Sequence, residues 1–269
     1  LVEKRNIILN EKELKDLREV KEILINERKK RIRPFFDDKV QTDLNCYWLY
    51  TNLYSSLLLS DDKLYRDTLL LIQELIHKLK NNIYHCYEKE KNDIDVFLED
   101  YSYLSLLLIT LYELENDTDS LVNCEKIMVD AWNLFFNKKS GLLQKNKIKD
   151  NDLFVNPIDI SDHNIPNGNS VYLMVCNKLK NIKDVSIWQK KIDLLSKTFH
   201  SYINYNYSQM FSFIKILDLC DKNITITFHG IYENYKNFLK KIDIRYISDL
   251  SIIHKENKEE FFVIICKEQ

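Results

Sequence analysis

Three short polar motifs in the 269-residue chain contain residue types that can bind or transform a small polar ligand. The motifs are "DDK" at residues 37–39, "EDY" at 99–101 and "DHNIPNGNS" at 162–170. Carboxylates accept hydrogen bonds from hydroxyl groups, and side-chain amides both donate and accept them. Two carboxylates at a suitable separation can also serve as acid and base on a sugar. The motifs therefore predict a polar pocket for a polyhydroxylated, carbohydrate-like ligand.

The predicted pocket collects residues at or near the starts of predicted helices. Its members are Asp37, Asp38, Lys39, Asn45, Glu99, Asp100, Tyr101, Asp162, Asn169 and Ser170. Lys39 is expected to neutralise one of the two aspartates beside it, because an uncompensated buried charge is costly. Tyr101 and Tyr103 could present an apolar ring face to a sugar. Arg31 and Arg33 could bind a phosphate or carboxylate, or simply complete a basic helix end.

Helix capping is the structural alternative for the same residues. Asp, Asn and Ser are favoured N-cap residues, each stabilising a helix by about 1 kcal/mol. For Asp37, Asp38 and Ser170 taken singly, capping and ligand binding are equal alternatives. The recurrence of a polar motif at three equivalent places favours the pocket.

Histidines and cysteines show no spacing that predicts a metal centre. His163 beside Asp162 could act as a base in epimerase-type chemistry, but its role stays open. The six cysteines lie no closer than 38 residues apart, which excludes Cys-x-x-Cys redox pairs and typical zinc spacing. We predict no metal and no cofactor, and we assign no catalytic residue.

Composition limits the partners and the location. Lys and Arg total 39 against 41 Asp and Glu, so a net charge of -2 gives no basic field for nucleic acid or anionic membranes. No apolar run reaches the roughly 18 residues that a bilayer-spanning helix requires, and no signal peptide is recognisable. We expect a soluble, cytoplasmic protein with reduced cysteines.

A repeated pair of helices must position the polar motifs. Three nearly uncharged helical segments start near Asp38, Glu99 and Gly168, and each is followed by an amphipathic helix. Because a helix that is apolar all round is buried all round, we predict a mainly α fold, a partial (α/α)6-type hairpin toroid. Residues 1–221 would comprise an outer helix, three hairpins and a further helix around 208–220. Residues 222–269 alternate like strands and predict a small β-α-β-like appendage.

Three segments of this chain are similar to one protein family. "RKKRIRPFFDDKVQTDLN", "FLEDYSYL" and "DHNIPNGNSV" resemble, in order and spacing, thioredoxin-domain proteins of the YyaL and spermatogenesis-associated type. The resemblance implies a six-hairpin α-barrel related to N-acylglucosamine 2-epimerases. The chain departs from the family's W-N-G motif at Leu44-Asn45-Cys46 and from its P-S-G-N-S motif at Asn167, and it carries only the first tail cysteine, Cys266.

The same resemblance implies a C-terminal part of a longer protein, without the thioredoxin-like domain and the first hairpins. That N-terminal part would then be a partner, beside a carbohydrate-like small molecule. Three functions remain open: a sugar-type binding pocket whose reaction is unknown, a non-enzymatic protein-binding scaffold, and the inactive product of a truncated gene. The last predicts exposed apolar surface on residues 40–59.

Overall fold

The computed structural model describes residues 9–34, 37–87, 95–148, 157–183, 186–222, 224–242, 249–258 and 260–267. Its helices are α1 (Glu11–Lys29), α2 (Thr42–Leu59), α3 (Asp62–Leu79), α4 (Leu98–Glu115), α5 (Thr118–Phe135), α6 (Gly168–Lys183), α7 (Ser186–Asn206), α8 (Phe211–Lys222) and α9 (Tyr232–Leu239). Its strands are β1 (Val40–Gln41), β2 (Cys86–Tyr87), β3 (Phe136–Asn137), β4 (Leu142–Leu143), β5 (Ile224–His229), β6 (Ser251–Lys255) and β7 (Phe262–Lys267). No helix in these ranges is long and apolar enough to cross a membrane.

The chain divides into two compact units, Leu1–Asp38 and Lys39–Gln269. In the first unit, Asn10 caps α1, and Glu13 returns a hydrogen bond to the Asn10 backbone in a capping box. The helix ends at Lys29, before Pro34. None of the α1 side chains is buried.

Three helical hairpins form the body of the second unit. They are α2 with α3, α4 with α5, and α6 with α7, and α4 packs between α2 and α6. The first helices of the hairpins therefore lie side by side, with α8 against α6. Helix α4 is buried on nearly every side, as its uncharged sequence predicts. The predicted mainly α hairpin fold is confirmed.

Helix α2 differs from its prediction as a fully buried helix. It packs on α4 and α3, and the side chains of Leu44 and Trp48 are 45% and 51% exposed. The helix begins at Thr42, after Gln41, which makes no side-chain capping bond. Asp37 and Asp38 therefore do not cap α2, and the predicted start near Asp38 is four residues early.

The turns between α2 and α3 and between α4 and α5 have the same structure. Ser60 and Asn116 end α2 and α4 in the left-handed conformation, with φ of 54° and 55°. Asp61 then caps α3 by accepting from the backbone of Lys63 and Leu64, at 3.1 and 2.9 Å. Asp117 caps α5 in the same way. Each cap is an aspartate, a preferred N-cap residue, directly after a left-handed C-cap residue.

The C-terminal elements form a three-stranded sheet in the order β6-β5-β7. β5 and β6 are parallel, with α9 between them, and β7 runs antiparallel to β5. This is the predicted β-α-β unit with one added strand. β6 packs on α4 and α6 within the unit that spans Lys39–Gln269. A domain boundary between residues 221 and 222 stays a prediction.

A buried ion pair joins this sheet to the hairpins. The Lys178 ammonium of α6 lies 2.8 Å from both carboxylate oxygens of Glu113 on α4, and both side chains are buried. Lys178 also donates to the Leu250 carbonyl at 2.6 Å, and the Ile252 amide donates to Glu113 at 3.2 Å. The pair therefore connects α4, α6 and β6 through charge-assisted hydrogen bonds.

We predict that Lys178→Met strongly destabilises the protein, because the Glu113 carboxylate would stay buried without a counter-charge. The free energy of unfolding should fall by about 3–5 kcal/mol in urea denaturation. The matched control is Lys222→Met, which removes an exposed ion pair with Asp218 and should change little. A second change, Glu113→Leu in the Lys178→Met background, should recover most of the loss. Wild-type stability in the single Lys178→Met variant would contradict this account.

Candidate functional site

The first turns of α4 and α6 meet at a close approach. Glu99 lies in the first turn of α4, and Gly168 is the first residue of α6. A Cβ atom on Gly168 would lie 3.2 Å from Glu99 Oε1 and 3.2 Å from Leu98 Cγ. The missing side chain thus lets the start of α6 approach the carboxylate. The structure brings these two sequence motifs together, as their equivalent positions in successive hairpins predict.

Glu99 is the carboxylate of this site with an unsatisfied atom. Its Oε2 atom is buried and has no hydrogen-bond partner among the described residues. Burial raises the pKa of Glu99 to about 7; Lys145 opposes the shift, and Asp100 and Asp159 add to it. At neutral pH the group therefore exists in both protonation states and can donate or accept a hydrogen bond.

Asp100 and His85 form a buried pair beside Glu99. His85 Nδ1 lies 3.0 and 3.2 Å from the two carboxylate oxygens of Asp100, and Asp100 also accepts from the Phe97 amide at 2.8 Å. The hydrogen bond to Asp100 raises the pKa of His85, and burial opposes that shift. The Asp100 side chain is fully buried, so His85 provides most of its charge compensation.

Asp43 of α2 completes a cluster with this pair. The ligand atoms of Asp43, His85 and Asp100 lie within 4.8 Å of one another, and none of the three residues is exposed. These three residues could hold a metal ion. Sequence spacing missed the cluster because its members come from α2, the segment before β2 and α4, which only the packing of two hairpins brings together.

Asp162 is engaged in fixing the loop before α6. Its Oδ1 accepts from the Asn167 amide and side chain, both at 3.0 Å, and its Oδ2 accepts from the Ser212 amide at 2.7 Å. Asn167 Oδ1 in turn accepts from the Ser170 amide at 2.9 Å, so Asn167 caps α6. Asp162 thus joins the loop to the starts of both α6 and α8.

Asn169 and Ser170 also make bonds within the fold. Asn169 Oδ1 accepts from the Leu143 amide at 3.0 Å, while its Nδ2 donates to the carbonyls of Leu143 and Asp159 at 2.8 and 3.1 Å. Ser170 Oγ accepts from Asn167 Nδ2 at 2.9 Å. These contacts hold the loop around Glu99 in place, and a direct ligand contact by either residue stays a prediction.

The two tyrosines do not share one environment. Tyr101 lines a cavity of about 450 Å³ with Asn123 and Asp130, and its ring lies edge-on to Phe135 at 5.4 Å. Tyr103 is fully buried and donates to the Pro166 carbonyl at 2.6 Å. The expectation that Tyr103 offers a ring face to a sugar is therefore wrong, because no face of that ring is open.

The remaining predicted residues lie at helix ends or on the surface. Asn45 donates to the Gln41 carbonyl at 2.7 Å within the first turn of α2. Asp37, Asp38 and Lys39 are exposed, the first two in the Leu1–Asp38 unit and Lys39 in the second unit. Their part in a pocket stays a prediction.

His163, the candidate base, is largely exposed. Its Nε2 lies 3.3 Å from Asp159 Oδ2, and its side chain is 74% accessible. A catalytic role for His163 likewise stays a prediction.

Comparison with known proteins gives a limited result. No protein-family profile and no curated protein matches the chain. Among solved structures, an inactive variant of the GH76A alpha-1,6-mannanase of Salegentibacter sp. HEL1_6, in complex with alpha-1,6-mannotriose, is similar at 16% identity. The match has a TM-score of 0.45 and covers 59% of this chain and 46% of that one.

A second structure of the same mannanase matches at 15% identity with the same TM-score of 0.45. It covers 70% of this chain and 54% of that chain. The chain thus spans about half the length of the structures it matches.

We predict that Glu99→Gln changes how stability depends on pH. The folded-state pKa of about 7 lies above the ordinary value of 4.5, so ionisation is less favourable in the folded protein. The stability contribution of Glu99 is therefore fully present below about pH 4.5 and lost as pH rises through about 7. Glutamine cannot ionise, so the free energy of unfolding of the variant relative to wild type should rise by about 3 kcal/mol between about pH 4.5 and pH 8.

Urea denaturation over this pH range, in a buffer that contains a chelator, measures the effect. Glu74→Gln on the exposed face of α3 is the matched control and should run parallel to wild type at every pH. Parallel curves for Glu99→Gln and wild type would contradict the assigned pKa.

Proposed function

We propose that the protein binds a carbohydrate-type ligand at the polar face formed by Glu99 and the start of α6. The observation that carries this proposal is the buried Oε2 atom of Glu99, which has no hydrogen-bond partner among the described residues. An unsatisfied buried polar atom costs about 1–3 kcal/mol. A ligand hydroxyl would supply the missing donor, so Oε2 would be hydrogen-bonded in the bound state.

The residues around Glu99 suit a ligand rich in hydroxyl groups. A carboxyl group with a pKa of about 7 can donate to one hydroxyl oxygen or accept from another. Lys145 and Asp159, whose charges both act on Glu99, would add a donor and an acceptor. Asp162 and Asn169 would serve by positioning the loop.

The other predicted contacts remain part of the proposal, without a reaction assigned to any of them. They are Asp37, Asp38, Lys39, Asn45, Asp100, Tyr101 and Ser170.

The family relation belongs to the same proposal. The resemblance to YyaL-type proteins is supported by the positions of "FLEDY" and "PNGNS", which lie at the starts of α4 and α6. A cytoplasmic location is supported by the six cysteines, which are all described and form no disulfide.

A ligand panel on the purified chain tests the proposal. Thermal melts are recorded alone and with hexoses, N-acyl hexosamines, sugar phosphates and their oligomers. A saccharide that binds only the native state raises the melting temperature by mass action, equivalent to about 2.7 kcal/mol at 100 times Kd. We expect at least one saccharide to raise it, and Glu99→Ala to abolish that rise.

Matched variants separate the possible outcomes. Glu74→Ala removes a carboxylate from an exposed helix face and should keep the wild-type response. If no saccharide raises the melting temperature of wild type, or if Glu99→Ala responds as wild type does, the proposal is wrong.

A protein-binding scaffold is the second candidate, because α2 exposes several large apolar side chains. Its exposed side chains are Leu44, Trp48, Leu58 and Leu59. Surfaces of this kind mark interaction sites when they are contiguous. If the protein is a scaffold, Trp48→Ser should abolish association with a protein partner and leave the saccharide response unchanged. If it binds carbohydrate, Glu99→Ala should abolish the saccharide response and leave that association unchanged.

A further inference from the structure

The cluster of Asp43, His85 and Asp100 has more negative charge than the described part of the chain compensates. No Lys or Arg in that part forms an ion pair with Asp43 or Asp100, and His85 is the only cationic partner of Asp100 there. Two carboxylates and one imidazole at half-buried to buried positions, with their ligand atoms within 4.8 Å of one another, therefore favour a cation.

We propose that Asp43, His85 and Asp100 bind one divalent transition-metal ion. Carboxylate oxygen together with imidazole nitrogen suits ions such as Zn²⁺, Mn²⁺ and Co²⁺, whereas Ca²⁺ takes six to eight oxygen ligands. The site shares Asp100 with the residues kept in the proposed carbohydrate function, but it uses no atom of Glu99, so metal binding and the saccharide response are measured separately.

The distances require a local adjustment. Zinc lies about 2.0–2.2 Å from nitrogen and oxygen ligands in tetrahedral geometry, so two ligand atoms of one ion lie about 3.3–3.6 Å apart. The three candidate atoms lie within 4.8 Å of one another. Side-chain rotations that bring these atoms closer by up to about 1 Å would close the set.

Each carboxylate keeps an atom for the ion. Asp100 Oδ2 accepts from the Phe97 amide, which fixes the side chain, while Oδ1 faces His85 at 3.0 Å. Asp43 Oδ1 accepts from the Leu44 amide at 2.7 Å, which leaves Oδ2 for the ion. The ion would take the place of the proton between His85 and Asp100.

Gln41 supplies the outer contact that a metal-binding histidine requires. Its side-chain nitrogen lies 3.4 Å from His85 Nε2, the ring nitrogen that does not face Asp100. Because the two ends of an amide are assigned rather than observed, rotation of the amide would place its oxygen there as an acceptor. A histidine whose Nδ1 binds a metal normally donates its Nε2 hydrogen to such a group.

Isothermal titration of the chelator-treated full chain with Zn²⁺ and with Co²⁺ tests the site. We expect one ion per chain, and at least a tenfold loss of affinity in His85→Gln and in Asp43→Asn. The matched control is His163→Gln, because His163 also faces a carboxylate but is exposed. It should bind with wild-type affinity. Circular dichroism and melting temperatures without metal establish that each variant folds.

Two further readouts keep the test decisive. Zinc added to the wild-type chain should shift the ring-nitrogen NMR resonances of His85, which tests the site without any substitution. The Co²⁺ spectrum should show no thiolate charge-transfer band. No binding by wild type, unchanged affinity in both ligand variants, or a thiolate band that assigns the ion to cysteines would each overturn the proposal.

Discussion

Helix α4 is packed between its neighbours on nearly every side, so each of its carboxylates must find a partner inside the protein. It carries four carboxylates at buried or half-buried positions, two in its first turn and two in its last. Glu113 is paired with Lys178, Glu115 with Lys236, and Asp100 with His85. Glu99 keeps one buried oxygen without a partner in the described chain. The polar residues of α4 thus form both the buried ion pair that joins α4, α6 and β6 and part of the candidate site.

The two ends of α4 use their carboxylates differently. At the C-terminal end, the ammonium of Lys178 and the backbone of β6 surround Glu113, which leaves no access and implies a structural role. At the N-terminal end, the Glu99 and Asp100 carboxylates lie where the helix dipole favours negative charge. That favourable field lowers the cost of keeping a carboxylate there without a full counter-charge. A site of this kind can persist in the absence of ligand because the helix already supports it.

Much of the fold can be predicted from local sequence. Uncharged and amphipathic helices alternate, and Asp61 and Asp117 mark two turns by their capping chemistry. Gly168 marks the start of α6 as predicted. Helix α2 is predicted, but its partial exposure could not be, because its nearly uncharged sequence does not reveal that it lies at the end of the row of hairpins. Its exposed apolar side is a consequence of position and not of composition.

The candidate site is less predictable than the fold for a related reason. Glu99 and Asp100 stand in a recognisable motif, but His85 lies in a loop with no pattern of its own, and Asp43 resembles an ordinary first-turn acid. Their meeting depends on β1 pairing with β2, a contact of two residues on each side. Asp162 and Asn169 are predicted pocket residues, and in the structure their hydrogen bonds fix the loop before α6.

The Glu113–Lys178 pair also constrains the order in which the chain can fold. Glu113 is 65 positions from Lys178 and 139 from Ile252. Such contacts form only after long loops have closed. The conformational entropy lost in closing a long loop makes this step slower than forming a hairpin. Until β6 docks, the Lys178 ammonium and the Glu113 carboxylate lack their backbone hydrogen-bond partners, although packing of the helices already removes water from around them. The last strands of the chain therefore complete the interior of hairpins that were synthesised long before them, and the protein becomes fully stable only when its C-terminal sheet has docked.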